Sequence, residues 1–237
     1  MKKFLIMLSV LMFSTISAKA VDLSFLSVTA GLGLNEAVFG ASGKETKSNE
    51  TNGVKSINKE TGVFESSYSS QFIELGLGQW VSIGYSHTPD AIDTPVNVND
   101  NSSAGVTTPE STVSVSFNDL NSTYVKLNLP VLTGAYLKLG TVETDLDIKE
   151  TTNSGRAYKN VSTSGSIQAL GYQSYLGETG FGIRFEGAYL DFDNVSTNNG
   201  VSATGGTVAN GGRNQIDVKD MQGLQGQVAV TYTFGRN

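Results

Sequence analysis

The chain has 237 residues, 38% of them hydrophobic and 16% charged, with 27 glycines, four prolines, one tryptophan, one histidine and no cysteine. A charged fraction below the usual ~25%, with 9% aromatic residues, argues against intrinsic disorder, because disordered chains are usually charge-rich and aromatic-poor. The missing cysteine excludes disulfides, thiolate metal sites and a cysteine nucleophile. The formal charge of −6 makes nucleic acid a poor partner, because that binding rests on neutralising phosphates.

Residues 1–20 read as a secretory signal peptide. Lys2 and Lys3 form a positive start, Phe4 to Ile16 an apolar run, and Ala18-Lys19-Ala20 a small-residue cleavage site. The run is shorter than the ~20 residues a membrane-spanning helix needs. Cleavage leaves one domain over residues 21–237, and losing three lysines takes its charge from −6 to −9.

From Val28 the apolar residues fall on every second position: Val28, Ala30, Leu32 and Leu34 alternate with Thr29, Gly31, Gly33 and Asn35. That is the period of a strand, not of a helix. It recurs with Val81, Ile83 and Tyr85, with Val125, Leu127 and Leu129, with Phe181, Ile183 and Phe185, and with Val228, Val230, Tyr232 and Phe234. Turn residues between these runs predict eight strands near 24–39, 64–77, 80–88, 111–129, 135–147, 164–176, 181–193 and 221–234. Three of them carry apolar residues on competing faces. In the second, Phe64, Tyr68 and Phe72 oppose Ile73, Leu75 and Leu77; in the sixth, Ile167 opposes Leu170 and Tyr172; the fourth is interrupted near Asp119 and Asn121. A β-bulge would reconcile each.

The connections alternate long and short. Gly76–Gln79, Pro130–Gly134 and Gly177–Gly180 are tight, whereas 40–63, 89–110, 148–163 and 194–220 are long and polar. An up-and-down sheet would place all tight turns at one end and all long loops at the other.

Alternation alone does not say which face points inward. Loop asymmetry of this kind is a property of transmembrane barrels, as is a girdle of aromatic residues at the interface. Trp80, Tyr136, Phe181, Tyr232 and Phe234 gather at the tight-turn end, although strict alternation turns Trp80 and Tyr136 inward unless the turn re-aims them. The apolar face is expected to carry no charge through its middle. Glu74, Lys126, Lys138, Arg184 and Glu186 lie on the opposite face, beside Gly, Ser, Thr and Gln residues such as Gln225 and Gln227. With the apolar side toward lipid these five charges share one polar lumen, and eight strands must close into an edgeless ring.

The alternating strands, three short turns, four long loops and a last strand reading Val228-Ala229-Val230-Thr231-Tyr232-Thr233-Phe234 resemble the small outer-membrane β-barrel family that includes the opacity proteins and adhesin-like barrels of Gram-negative bacteria. The resemblance implies an all-β, eight-stranded antiparallel up-and-down transmembrane barrel in the bacterial outer membrane, in contact with lipid and lipopolysaccharide. It also implies recognition of a terminal aromatic residue by the barrel-assembly machinery, here Phe234, from which the chain departs by adding Gly235, Arg236 and Asn237.

Little in the pattern points to catalysis. Ser86 and His87 are adjacent and so face opposite sides of a strand, and Gly200-Val201-Ser202-Ala203-Thr204 misses the second glycine of a Gly-x-Ser-x-Gly elbow. Asp145 with Asp147, and Asp191 with Asp193, form same-face acidic pairs near the loop end, a weak signal for Ca²⁺ or Mg²⁺ shared with lipopolysaccharide phosphates. Solvated carboxylates are the plainer reading, and no metal or cofactor is expected. The glycine-rich stretches at Gly200–Gly206 and Gly211-Gly212 lack the Lys-Ser/Thr of a phosphate loop. The expectation is a monomeric, non-enzymatic barrel with a structural or surface-interaction role and an unidentified extracellular ligand. The alternatives are a narrow porin-like channel for small solutes or ions and a soluble periplasmic β-barrel binding protein.

Overall fold

The computed structural model describes residues 25–48, 55–99, 111–151, 158–200 and 214–235. The leader assigned to residues 1–20, the elbow near-miss beyond Gly200 and the glycine-rich segment at Gly211-Gly212 lie outside the described residues.

The described chain is built from strands β1 (Leu26–Ser48), β2 (Lys55–Leu77), β3 (Val81–His87), β4 (Ile92–Asp93), β5 (Asn97–Asn99), β6 (Ser111–Asn128), β7 (Ala135–Thr151), β8 (Val161–Tyr175), β9 (Phe181–Phe192), β10 (Val195–Asn198) and β11 (Asn214–Phe234). Eight of these, namely β1, β2, β3, β6, β7, β8, β9 and β11, pair antiparallel with their neighbours, and β11 returns to β1 to close a ring. β4 and β5 pair with β6, and β10 pairs with β11. The tight turns between β2 and β3, β6 and β7, and β8 and β9 each use left-handed glycine, at Gly78 (φ 66°), Gly134 (φ 89°) and Gly177 (φ 64°).

The pairing register fixes the shape of the ring. Paired residues followed once round from Ala30 pass through Ile73, Tyr85, Thr123, Thr141, Ser166, Asp191 and Gln222 and return to Gly40, ten residues further up β1. That offset over eight strands corresponds to a tilt of about 40° and a radius of about 8 Å, a lumen narrow enough for side chains to fill.

The wall changes character along its height. In the half nearer the tight turns, Leu32, Leu34, Val125, Leu127, Ile183, Phe185, Val228 and Val230 point outward while Glu74, Lys126 and Arg184 are buried inside. This half spans the membrane. In the half nearer the long connections, Phe39, Phe117, Val142, Leu146, Leu190 and Phe192 form a buried core, and Ser67, Glu143, Asp145, Ser164 and Asp191 are exposed. The expectation of a lumen polar throughout is therefore corrected: its upper half is apolar. A barrel with its apolar residues inside, the soluble alternative, describes that upper half only.

Two local devices produce the inversion. On β1, β2, β7, β8 and β9 the apolar residues change from one parity to the other. β2 runs in unbroken register with β1 from Leu77 to Lys55, so Phe64, Tyr68 and Phe72 face inward with no bulge. β8 is likewise unbroken between β7 and β9, with Ile167 inward and Leu170 and Tyr172 outward. The bulges expected in these two strands are absent because the competing faces belong to different halves of the barrel. On β6 and β11 the parity stays constant and the backbone shifts instead. Asp119 and Leu120 together oppose Thr144, and Asp220 and Met221 together oppose Ala41. Asp119 (φ 50°) and Asp220 (φ 52°) take the left-handed conformation that such bulges use. Val125 and Leu127 thus point to lipid, whereas Phe117, at the same parity, joins the core.

The long connections are shorter than their sequences suggest. Most of 40–63 continues β1 and β2, and 194–220 contains β10 and the start of β11.

Candidate functional site

The five charged residues singled out in the sequence converge in the lumen of the membrane-spanning half. Arg184 on β9 grips Glu74 on β2 with two hydrogen bonds, Nη1 to Oε1 at 2.7 Å and Nη2 to Oε2 at 2.8 Å. Lys126 on β6 donates to the same carboxylate at 2.5 Å, and the Tyr124 hydroxyl donates to it at 3.0 Å. Lys138 on β7 pairs with Glu186 on β9, which also accepts the Tyr136 hydroxyl at 2.7 Å. The clusters interlock: Lys126 lies 5.4 Å from the ring centre of Tyr136, and Lys138 lies 4.7 Å from that of Tyr124. Arg184 stacks over Phe72 at 4.5 Å and donates through Nη2 to Gln173 Oε1 at 2.8 Å. Three cations and two carboxylates leave one positive charge in excess, spread over rings and amides where water is scarce.

Glycine makes room for these rings. A Cβ at Gly31 would lie 2.2 Å from Phe72, one at Gly84 2.4 Å from Tyr124, and one at Gly171 2.2 Å from Tyr136. Large side chains on one strand thus occupy the space left by glycine on the next, which accounts for part of the glycine excess. Phe72, Tyr124 and Gln173 were not anticipated as members of the network. Each shares the inward parity of the nearest charge on its own strand or its neighbour, and that was the signal available.

An amide layer sits above the charges. Asn35 Oδ1 accepts from Gln225 and Gln227, both at 2.8 Å, and its Nδ2 donates to Ser70 Oγ at 3.0 Å and to the Tyr68 carbonyl at 3.1 Å. Beside it is a cavity of about 30 Å³ bordered by Ser70, Ser86, Ser122, Lys138 and Gln227, of a size and polarity suited to about one water. The apolar core closes the lumen above, where Phe39 stacks on Phe64 at 5.3 Å and on Phe117 at 5.8 Å.

The aromatic residues separate into two groups. Phe181, Tyr232 and Phe234 form an edge-to-face cluster with ring centres 4.8 and 4.5 Å apart, the two phenylalanines exposed and Tyr232 half-buried between them. Trp80 is exposed too, because it belongs to the Gly78–Trp80 turn and escapes the alternation. Tyr136 is corrected: it is buried in the lumen against Glu186, not at the lipid interface, because the turn before it does not re-aim its side chain. The expectation of an uncharged apolar face also has an exception toward its outer end. Glu36 stands on the outer wall between Leu34 and Val38 and accepts Ser67 Oγ at 2.6 Å.

Outside the membrane-spanning half, the acidic pairs bond to neighbouring polar groups. Asp145 accepts from Ser162 at 2.5 Å, Asp147 from Asn160 at 2.7 Å and Asp193 from Ser164 at 2.7 Å, and β8 separates Asp145 from Asp193. Among the described residues no group of three His, Asp or Glu side chains could hold a metal ion. Asp93 is held below the ordinary carboxylate range by a hydrogen bond from Ser116 and by Lys149, and Asp217 by hydrogen bonds from Gln215 and Ser196. His87 Nδ1 meets Asn121 Oδ1 at 2.7 Å, while Ser86 borders the internal cavity.

No protein-family model matches the chain, and no curated protein matches it in sequence. Among solved structures it is similar to the outer membrane protein OprG from Pseudomonas aeruginosa, with 14% identity, 86% of this chain and 95% of that chain covered, and a TM-score of 0.50. It also matches the outer membrane protein AlkL, with 11% identity, 93% and 95% coverage and a TM-score of 0.43. At such identities the likeness to OprG shows the fold alone, that of an outer-membrane barrel.

Proposed function

We propose that this chain is an exported, monomeric outer-membrane barrel whose work is envelope structure or surface interaction rather than conduction or catalysis. The observation that carries the reading is the lumen, filled by an ion-paired layer and then by an aromatic core, under a wall that leaves the lipid with a polar outer surface. The outward Leu, Val and Phe residues meet lipid, the exposed acidic pairs stand where lipopolysaccharide headgroups would be, and Phe234 would serve the assembly machinery. A non-enzymatic role is supported by the chain's one histidine, which bonds to an asparagine and is separated by the wall from its neighbouring serine.

Planar-bilayer recording tests the closed lumen. Silence at all voltages is the expected result; reproducible single-channel steps would replace this reading with that of a narrow channel. Fractionation with the outer membrane, heat-modifiable migration in detergent gels, and a mature N-terminus at Val21 test location and export.

A further inference from the structure

Above the closed ring the wall has a gap. β2 pairs with β3 only over Gln71 to Leu77; from Lys55 to Ser70 its far edge has no strand partner among the described residues. The chain that would continue β3 turns away at Thr88-Pro89. The Thr88 N–H goes to the Leu120 carbonyl at 3.0 Å, Pro89 has no N–H to offer, and β4 and β5 then pair with β6. Asn97 Nδ2 reaches from β5 to Glu60 Oε2 at 2.5 Å, and no backbone hydrogen bond joins the two segments among the described residues. Both faces of β2 are exposed from Ile57 to Val63, and a Cβ at Gly62 would meet nothing within 4 Å.

We propose that the edge of β2 between Ile57 and Ser66 docks an extended polypeptide segment that carries a carboxylate between apolar residues, added to the sheet as one more strand. This deepens the surface-interaction reading above and rests on it. An unpaired edge offers a row of N–H and C=O groups that only another extended backbone satisfies well. The outward side chains of that edge are Ile57, Lys59, Thr61 and Val63, with Ile57 53% and Val63 69% exposed, and then Glu65, six residues beyond Lys59 and so outside the reach of a carboxylate set opposite that lysine. A strand laid alongside sets its own side chains opposite these, apolar against Ile57 and Val63 and acidic against Lys59. A lysine on an edge strand also discourages indiscriminate pairing, so the same residue that keeps the edge soluble selects for an acidic partner.

A second copy in the same membrane does not fit. Two barrels related by an axis along the membrane normal run their β2 strands in the same vertical sense and lean them about 40° in opposite directions, so the strands cross instead of pairing.

The test uses the full barrel in lipid nanodiscs and a synthetic nonapeptide alternating Val and Thr with Glu at its centre. Amide exchange over residues 57–66 should slow by at least about tenfold at saturation, and an N-methylated version of the peptide should give no protection. Lys59→Glu should weaken the Glu peptide by about fivefold and tighten a Lys-centred one. Lys59 is exposed, and heat-modifiable migration of the variant confirms that it folds. Unchanged exchange at the highest soluble peptide concentration, protection that survives N-methylation, or indifference to the charge swap would each overturn the proposal. A barrel that folds and fractionates with the outer membrane yet shows no protection sinks only this docking site. A barrel absent from that membrane sinks the broader reading.

Discussion

Below the level of Asn35 and Gln227 the wall turns Leu34, Val125 and Phe185 outward and keeps Lys126, Glu74 and Arg184 within; above it Phe39, Phe117 and Phe192 are within and Glu143 and Asp191 are outside. The strands, their tilt and their two-residue period are common to both halves, so the backbone does not set the difference. The solvent does. Lipid offers no reward for hiding apolar side chains, so the lower half is held by closed backbone pairing and an ion-paired interior. Water rewards hiding them, so the upper half has the core of a soluble protein.

One alanine inserted between Asp119 and Leu120 strikes the comparison hardest. With the bulge held to one extra residue, the part of β6 above it slips one place along β7 and reverses its faces, which would carry Phe117 and the partly buried Val115 out of the core and turn Asn118 into it. At ~1.5–3 kcal/mol for a fully buried side chain, less for Val115, together with the cost of burying Asn118, the loss is on the order of 5 kcal/mol. Limited proteolysis should cut the upper segments of β6 and β7 while the lower ring stays protected. Equal protection of both halves would show that the bulge does not set the phase.

Glu74→Leu tests the lower half. It strands Arg184 and Lys126 without their carboxylate, and breaking a buried pair in this way costs about 3–5 kcal/mol. Denaturant unfolding in lipid vesicles should show a loss of this size. Glu74→Leu combined with Arg184→Met should recover part of it, because only Lys126 is then left without its carboxylate. If the single and double variants are equally unstable, the network is not the source of the loss.

An arginine scan on the outer wall separates the two solvents directly. Val228→Arg, facing lipid, should cost about 2–4 kcal/mol if it lies near the membrane midplane. Ser67→Arg, on the exposed upper wall, should stay within about 0.5 kcal/mol. Equal costs would place both positions in one medium.

The strand period and the order of long and short connections were sufficient to assign the ring, because both are local properties of the chain. The lumen charges were readable for the same reason: Glu74, Lys126 and Arg184 each interrupt an apolar alternation. The inversion was not readable as such. Phe64, Tyr68 and Phe72 against Ile73, Leu75 and Leu77 look like a register error until the strand is known to be long enough to leave the membrane. A single outward-facing rule cannot fit a strand that passes through two solvents. The bulge near Asp119 could be suspected from its interruption, but that at Asp220 fell at the start of the predicted last strand, with no alternation beyond it to break. Tyr136 was misplaced because aromatic girdles and lumen aromatics have the same composition and differ only in parity.

The smallest expected effect concerns the short strand β4, which binds the upper wall from outside the membrane. Asp93 accepts Ser116 Oγ and pairs with Lys149 at 3.2 Å, and the adjacent Thr94 N–H donates to the Val115 carbonyl at 2.9 Å. The Ser116 hydrogen bond, then Lys149, hold the Asp93 carboxyl below its ordinary range. A carboxyl whose folded value is depressed favours the folded arrangement above the unfolded value of ~3.9 and loses that contribution as the pH falls through the folded one. Exchange at the Thr94 amide, corrected for its intrinsic rate, should therefore be independent of pH near neutrality and accelerate as the solution is acidified below about pH 4. Asp93→Asn should flatten that response, whereas Asp217→Asn, at the β10–β11 pairing, should leave it in place. Because both Asp93 and Lys149 are largely exposed, added salt should weaken their pairing while leaving the Ser116 bond. A Thr94 amide whose exchange follows pH identically in the Asp93→Asn variant would show that β4 is held by Ile92 in the core and not by this carboxylate.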